Sequence, residues 1–260
     1  MKKTIKLFYL YAALYFKMIF QQRTGIVLFT LGKVIRFLFL FFMIYLVFSK
    51  TRLVKGYSLN QMIIFYLTFN IIDTASQLLF REVYRFRPLV VSGSFDLILL
   101  KPHHPFLRIL VGGIDFLDLL LLFPYIFLTI FFISKIPNLS LLLTTSYFIL
   151  IINSLLIATA FHIIVLALAI LTTEVDHTIM IYRDMTSLGR FPLEIYKEPV
   201  RGIFTFLIPI GIMMSFPPKA LLNLLSPISY LLSVVVSGLL LFISLKLWHL
   251  ALKKYQSWGG

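Results

Sequence analysis

The chain has 260 residues, 60% of them hydrophobic, with 24 Lys and Arg against 10 Asp and Glu and a formal net charge of +14. That apolar load excludes a soluble domain and points to a polytopic, all-α integral membrane protein. The chain has no cysteine, which excludes disulfides and thiolate metal sites. The basic excess is explained by Lys and Arg collecting in cytoplasmic loops, so nucleic-acid binding is not invoked.

Backbone groups in lipid must be bonded internally, so spans are helices or a closed barrel. The apolar runs here are too long and continuous for barrel strands. One membrane domain with six spans is expected over the whole chain, preceded by a helix lying in the interface. That interfacial helix covers residues 3–22. Lys3, Lys6, Ala13, Lys17 and Gln21 share one face, with Phe8, Tyr11, Tyr15, Ile19 and Phe20 elsewhere on the wheel. Lys17 and Gln21-Gln22-Arg23 interrupt its apolar run, and no small-residue cleavage site follows, so it does not read as a cleaved signal.

The first span is drawn over 26–49 and contains Lys33 and Arg36, one turn apart. Gly25 and Gly32-Lys33 look superficially like a phosphate-binding loop. The spacing is wrong and Val34 stands where Ser or Thr is needed, so this chain is not expected to hydrolyse ATP.

The second span, 59–80, carries Tyr66, Asn70, Asp73 and Gln77 at i, i+4, i+7 and i+11, a single polar stripe. Ionisable groups at membrane depth face protein or a wet cavity, so the stripe marks a translocation path or a helix contact.

The connection 81–105 opens as a basic amphipathic stretch that Pro88 is expected to break. Ser92-Gly93-Ser94 forms a turn, and Phe95–Leu100 is a short apolar segment containing Asp96. Such a folded cytoplasmic loop either docks a soluble partner or packs on its own bundle. His103-His104 here, and Glu174, Asp176 and His177 further on, lack the convergence that zinc needs and read as solvated loop residues. No metal site is expected.

The third span, 106–133, places Arg108, Gly112, Asp115 and Asp118 on one face. Pairing Asp115 and Asp118 with Lys33 and Arg36 would lower the cost of burying all four. Spans follow at 141–171, 202–216 and 227–247. The fifth is expected to end at Pro217-Pro218, with 219–226 forming a re-entrant or interfacial turn, and 172–201 to be a cytoplasmic connection. On this layout 17 Lys and Arg fall on one side and five on the other, which makes both termini cytoplasmic. The cluster at Lys50, Arg52 and Lys55 lies on the sparser side.

Three segments carry a family resemblance: Gly93-Ser94-Phe95-Asp96-Leu97-Ile98-Leu99-Leu100-Lys101-Pro102; Phe191-Pro192-Leu193-Glu194-Ile195-Tyr196 followed by Ile208-Pro209 and Pro217-Pro218; and Trp248 with Tyr255-Gln256-Ser257. In order, spacing and layout the chain resembles the type 2 permeases of ABC transporters, in the branch of exporters encoded with a second permease and an ATPase. The resemblance implies a half-transporter in the cell membrane. It would pair with a second permease, or with itself, above ATPase subunits that hold ATP and Mg2+, with no cofactor in this chain. It further implies that 81–105 is the coupling element, with Glu82, Arg85, Arg87 and Asp96 facing the ATPase. Lys33, Arg36, Asn70, Asp73, Gln77, Asp115 and Asp118 remain candidates for a transport path or an interhelical network. The alternatives are a secondary transporter coupled by protonation of Asp73, Asp115 or Asp118, and a membrane-embedded lipid-modifying enzyme.

Overall fold

The computed structural model describes residues 2–21, 23–51, 53–137, 139–172 and 175–256. Expectations resting on the side chains of Lys3, Ile19, Phe20, Gln22, Arg52, Glu174, Asp176 and Ser257 lie outside what is described. The described residues are mostly helical, with no strand among them: α1 (Lys2–Gln21), α2 (Arg23–Lys50), α3 (Leu59–Phe80), α4 (Phe86–Val91), α5 (Ser94–Leu99), α6 (Phe106–Ile109), α7 (Phe116–Ile133), α8 (Leu141–Thr172), α9 (Val175–Ser187), α10 (Val200–Gly202), α11 (Ile210–Leu221) and α12 (Pro227–Lys254). Among the described residues, five helical stretches are long and apolar enough to cross a membrane: Thr24–Lys50, Leu59–Val91, Phe116–Ile133, Leu141–Thr172 and Pro227–Lys254.

Local chemistry sets the helix starts. Ser58 and Gln61 form a reciprocal capping box that opens α3. Pro227 stands in the first turn of α12, where its missing N–H costs nothing. Asp115 caps α7 by accepting from the Leu117 backbone N–H at 3.0 Å.

That last cap corrects the third span. It begins at Phe116, not at 106, because the chain doubles tightly after α6. A Cβ on Gly112 would overlap the Arg108 carbonyl, so only glycine fits there. Pro88 does not break the second span's extension either. It sits in the first turn of α4, where proline is tolerated. The turn comes at Gly93, whose φ of 69° is left-handed and suits glycine.

The fifth span is the larger correction. The hydrogen-bonded and packed neighbours define two ends of the bundle. Tyr57, Phe132, Ile133, Tyr147 and Leu221 cluster at one end, called distal here. α1, the segment 81–110 and the C-terminal turn of α12 gather at the other, the proximal end. α8 runs from distal to proximal, and α9 starts where α8 stops. Yet Tyr57 donates to Glu194 at 3.4 Å, so the chain is back at the distal end by residue 194. The segment 175–195 therefore traverses the bundle and is not a loop on one side.

The predicted fifth span is in turn a re-entrant pair. Val200–Leu207 and Ile210–Leu221 meet at 90° around Pro209. Glu194, just before the pair, forms an ion pair with Lys219 near its end, so both arms return to the distal side. Pro217-Pro218 lie inside α11 and do not terminate it. Pro217 cannot bond the Met213 carbonyl, and Ser154 Oγ of α8 takes that place at 2.6 Å.

α8 and α12 form the tightest seam. Ser233, Ser237, Ser244, Trp248 and Ala251 are the buried residues of α12, and they fall on one stripe. Small side chains let the two backbones approach, as membrane helices require where no hydrophobic force acts between them. Asn153 of α8 donates to Ser233 Oγ at 2.6 Å and accepts from Ser237 Oγ at 2.6 Å.

Candidate functional site

A charged cleft lies between α2, α3, α7 and the traversing segment of α9. The 3.6-residue period of α2 puts Lys33, Arg36, Phe37 and Leu40 on one face, and α3 presents its Tyr66, Asn70, Asp73 and Gln77 stripe opposite. α7 contributes Tyr125, while Arg183 of α9 and Arg190 of the following tight turn close the remaining side. The inner part of the cleft has a volume of about 60 Å3, and beside Met180, Arg183, Asp184 and Ser187 it adjoins a wider space of about 250 Å3 that Arg36, Phe69, Asp73 and Arg190 also line.

Its apolar wall is aromatic. Phe37 stacks on Tyr66 with ring centroids 5.4 Å apart and lies 4.9 Å from Tyr125. The Tyr66 hydroxyl donates to the Phe37 carbonyl at 3.2 Å, tying α3 to α2.

The polar floor is a hydrogen-bonded chain through three helices. Lys33 pairs with Asp118, which is fully buried. Lys33 also donates to Gln77 Oε1 at 3.3 Å, and Gln77 Nε2 donates to Asp73 Oδ2 at 2.9 Å. Burial of a lone charge is costly, and this arrangement gives Lys33 and Asp118 a direct partner.

Only half of the expected quartet of charges assembles. Asp115 sits at the cap below Phe116, where its backbone N–H bonds the Leu78 carbonyl at 3.4 Å and its carboxylate meets Arg81 at 3.1 Å. Because α7 starts ten residues later than expected, Asp115 lies off the helical face of Asp118 and does not reach Lys33 or Arg36. Arg36 instead lines the cleft. Asn70 is also turned partly to its own helix, donating to the Tyr66 carbonyl at 2.7 Å.

A second polar cluster lies at the proximal end. Glu82 is buried at 4% exposure and pairs with Arg108, with Arg85 3.6 Å away. The expected outward-facing role of Glu82 gives way here, because the backbone at Gly113 packs so closely that a Cβ there would overlap its carboxylate. α1 closes over the same cluster. Arg85 lies 4.5 Å from the Tyr15 ring, Arg108 5.6 Å from Tyr11, and Phe16 packs edge-on against Phe116 at 4.5 Å. The expected basic face of α1, at Lys6, Ala13, Lys17 and Gln21, points outward, while Ala12 and Tyr15 are buried.

The α4–α5 hairpin next to this cluster is pinned at its base and exposed at its tip. Phe95 is fully buried and meets Phe86 at 5.0 Å, Trp248 at 6.4 Å and Tyr255 at 5.2 Å. Two of the sequence motifs, around Phe95 and around Trp248 and Tyr255, thus meet in space. Burial and the nearby Asp96 carboxylate push the Tyr255 phenol up to about 12. Arg87, Val91, Leu97 and Leu100 face outward. Among the described residues no group of three or more His, Asp or Glu side chains could hold a metal.

Sequence reasoning missed Arg183, Arg190 and Tyr125 as cleft residues, and Asn153 as the polar tie of the α8–α12 seam. The expectation of a cytoplasmic connection over 172–201, a stretch of mixed polar and apolar residues, keeps Arg183 and Arg190 out of the bundle. The usable signal was the spacing of Ile179, Thr186 and Gly189, the buried positions of that segment.

A family model described as ABC-2 family transporter protein matches residues 11–259, nearly the whole chain. No curated protein and no solved structure matches it.

Proposed function

This chain belongs to the ABC-2 transporter family and is a multi-pass membrane protein, and on that premise we propose that it is the permease subunit of an ATP-driven exporter in the cell membrane. The energy comes from a separate ATPase chain, which carries the ATP and Mg2+. A second permease, either a homologous chain or another copy of this one, completes the path. The proximal end faces the cytoplasm, in keeping with its load of Lys and Arg.

The observation that carries the reading is the α4–α5 hairpin. It lies between α3 and α7 in the chain, follows the half-exposed Arg85 of the Glu82 cluster, offers Arg87, Leu97 and Leu100 on its outer surface, and is locked by Phe95 to the end of α12. A rigid hairpin of this kind transmits the closing of an ATPase dimer as a rigid-body displacement of α3 and α12, instead of absorbing it as a loop would. ATP binding biases a two-state equilibrium of the bundle, and the cleft is exposed alternately to either end.

The test is purification of the tagged chain from its own membranes in mild detergent, followed by charge reversal at Arg85→Glu with Arg87→Glu. An ATPase is expected to co-purify with the parent chain. The double variant should insert normally but lose that ATPase and all ATP-dependent transport. Normal transport by the double variant overturns this docking surface. A chain that purifies without any ATPase overturns the exporter reading itself.

One observation favours a second reading, a proton-coupled carrier: the Asp118–Lys33–Gln77–Asp73 chain connects two carboxylates across three helices. That reading requires uptake in ATPase-free proteoliposomes driven by a pH gradient, and its loss in Asp73→Asn.

A further inference from the structure

The cleft holds more cationic groups than its own carboxylates neutralise. Asp118 accounts for Lys33. Arg36, Arg183 and Arg190 remain, and the acids still facing the space are Asp73 and Asp184. Among the described residues, none of these three guanidinium groups has a carboxylate within ion-pair distance. Arg190 instead rests 5.4 Å from the Phe69 ring. One oxygen of Asp73 accepts from Gln77, and its charge faces Lys33, Arg183 and Arg36 without a direct ion pair to either arginine, so the four cations of the cleft exceed its three carboxylates by one.

The depth of these groups makes their number informative. Arg36 lies near the middle of α2, about 20 Å from either end at 1.5 Å per residue. Arg183 and Arg190 reach the same cleft from a segment that crosses the bundle beside it. Arginine at this depth is expensive unless it meets water or an anion. A helix contact alone would be served by neutral residues, as the α8–α12 seam is.

We propose that the cleft is a binding site for the anionic group, phosphate or carboxylate, of an amphiphile, with Arg36, Arg183 and Arg190 as its anion ligands and Phe37, Phe69 and Tyr66 as its apolar wall. The guanidinium fork suits both anions, since each offers two oxygens at matching separation. Stacked rings beside it suit a ring or chain attached to that anion. The inference deepens the exporter reading and rests on it only for naming the ligand a substrate. Binding itself needs no ATPase.

The experiment uses the full chain in neutral detergent and reads thermal stability and tryptophan fluorescence as ligand is added. The probes are phosphatidylglycerol, oleate, phosphatidylcholine and inorganic phosphate. Phosphatidylglycerol and oleate should bind saturably, and phosphatidylcholine should not. Inorganic phosphate that competes with them supports the site and shows that the anion alone is recognised. Anionic amphiphiles that bind while phosphate does not compete also support it, and assign the source to a lipid or lipid-like molecule. Arg36→Gln and Arg183→Gln should each weaken binding about tenfold or more, the scale of one lost charge-assisted hydrogen bond. Lys253→Gln with Lys254→Gln, at the exposed end of α12, should change nothing. Equal binding of anionic and zwitterionic amphiphiles by the parent chain overturns the proposal, even if both arginine variants fail to fold. So does equal anion affinity in the parent and the folded arginine variants. Absence of any ATP-driven transport by the parent chain, with anion binding intact, would overturn the exporter reading and leave the site standing.

Discussion

The α8–α12 seam and the α2–α3–α9 cleft both place polar groups inside an apolar bundle, and they handle them in opposite ways. In the seam, Asn153 has its amide nitrogen and its oxygen satisfied by two serines, every partner is neutral, and small side chains exclude space. In the cleft, charges outnumber their partners, bulky aromatics hold the walls apart, and empty space remains. Polar groups that hold a membrane bundle together are satisfied within it. Polar groups that act on something else are left with unused capacity. The cleft is also where the chain departs furthest from an ordinary apolar span, because α9 is the most polar of the traversing segments.

This contrast can be broken or sharpened by mutation, read as reversible unfolding in mixed micelles. The largest loss is expected at the seam's proximal end. Trp248→Ala removes a fully buried ring that also pins Phe95, and should destabilise by about 4 kcal/mol and uncouple any ATPase. If it is instead nearly neutral, the seam is not the structural core. Next comes Asp118→Asn, which strands Lys33 within the bundle and should cost about 3 kcal/mol. Lys33→Met combined with Asp118→Leu should recover most of that loss, because the pair rather than either charge is what the bundle tolerates. An additive double mutant would argue against direct coupling.

Asn153→Leu should cost about 1 kcal/mol, the usual scale of hydrogen bonds between membrane helices. The smallest effect is expected in the cleft. Arg36→Gln should change stability by less than about 0.5 kcal/mol, or raise it, while weakening anion binding about tenfold or more. A large destabilisation by Arg36→Gln would erase the distinction between the two regions and make the cleft a structural network.

Much of this was legible in the residues. The apolar runs gave α2, α3, α8 and the start of α12 within a few positions, because a run of about 20 apolar residues has few alternatives to a helix in lipid, whereas α12 runs on past 247 to Lys254. The α3 stripe of Asn70, Asp73 and Gln77 follows from helical periodicity alone, and so does the one-turn spacing of Lys33 and Arg36. The start of α7 was not legible. Gly112 and Gly113 sit in an apolar sequence, and only their close approach to Arg108 and Glu82 makes them a break. The course of the fifth crossing was also hidden. Hydropathy favours the apolar 202–216 over the polar 175–195, and a span that faces other helices instead of lipid has no need to be apolar.

The sequence by itself therefore determined that this is a helical, multi-pass membrane protein of a transporter family, with charges at depth on three helices. Those properties depend on composition and on periods of a few residues. Only the tertiary structure decided which charges meet, that Glu82 turns inward, that 200–221 returns to the side it came from, and that Arg183 and Arg190 join Arg36 around one space. Those outcomes depend on contacts between residues far apart in the chain, and hydropathy and local spacing carry no information about which distant partner a charge will find.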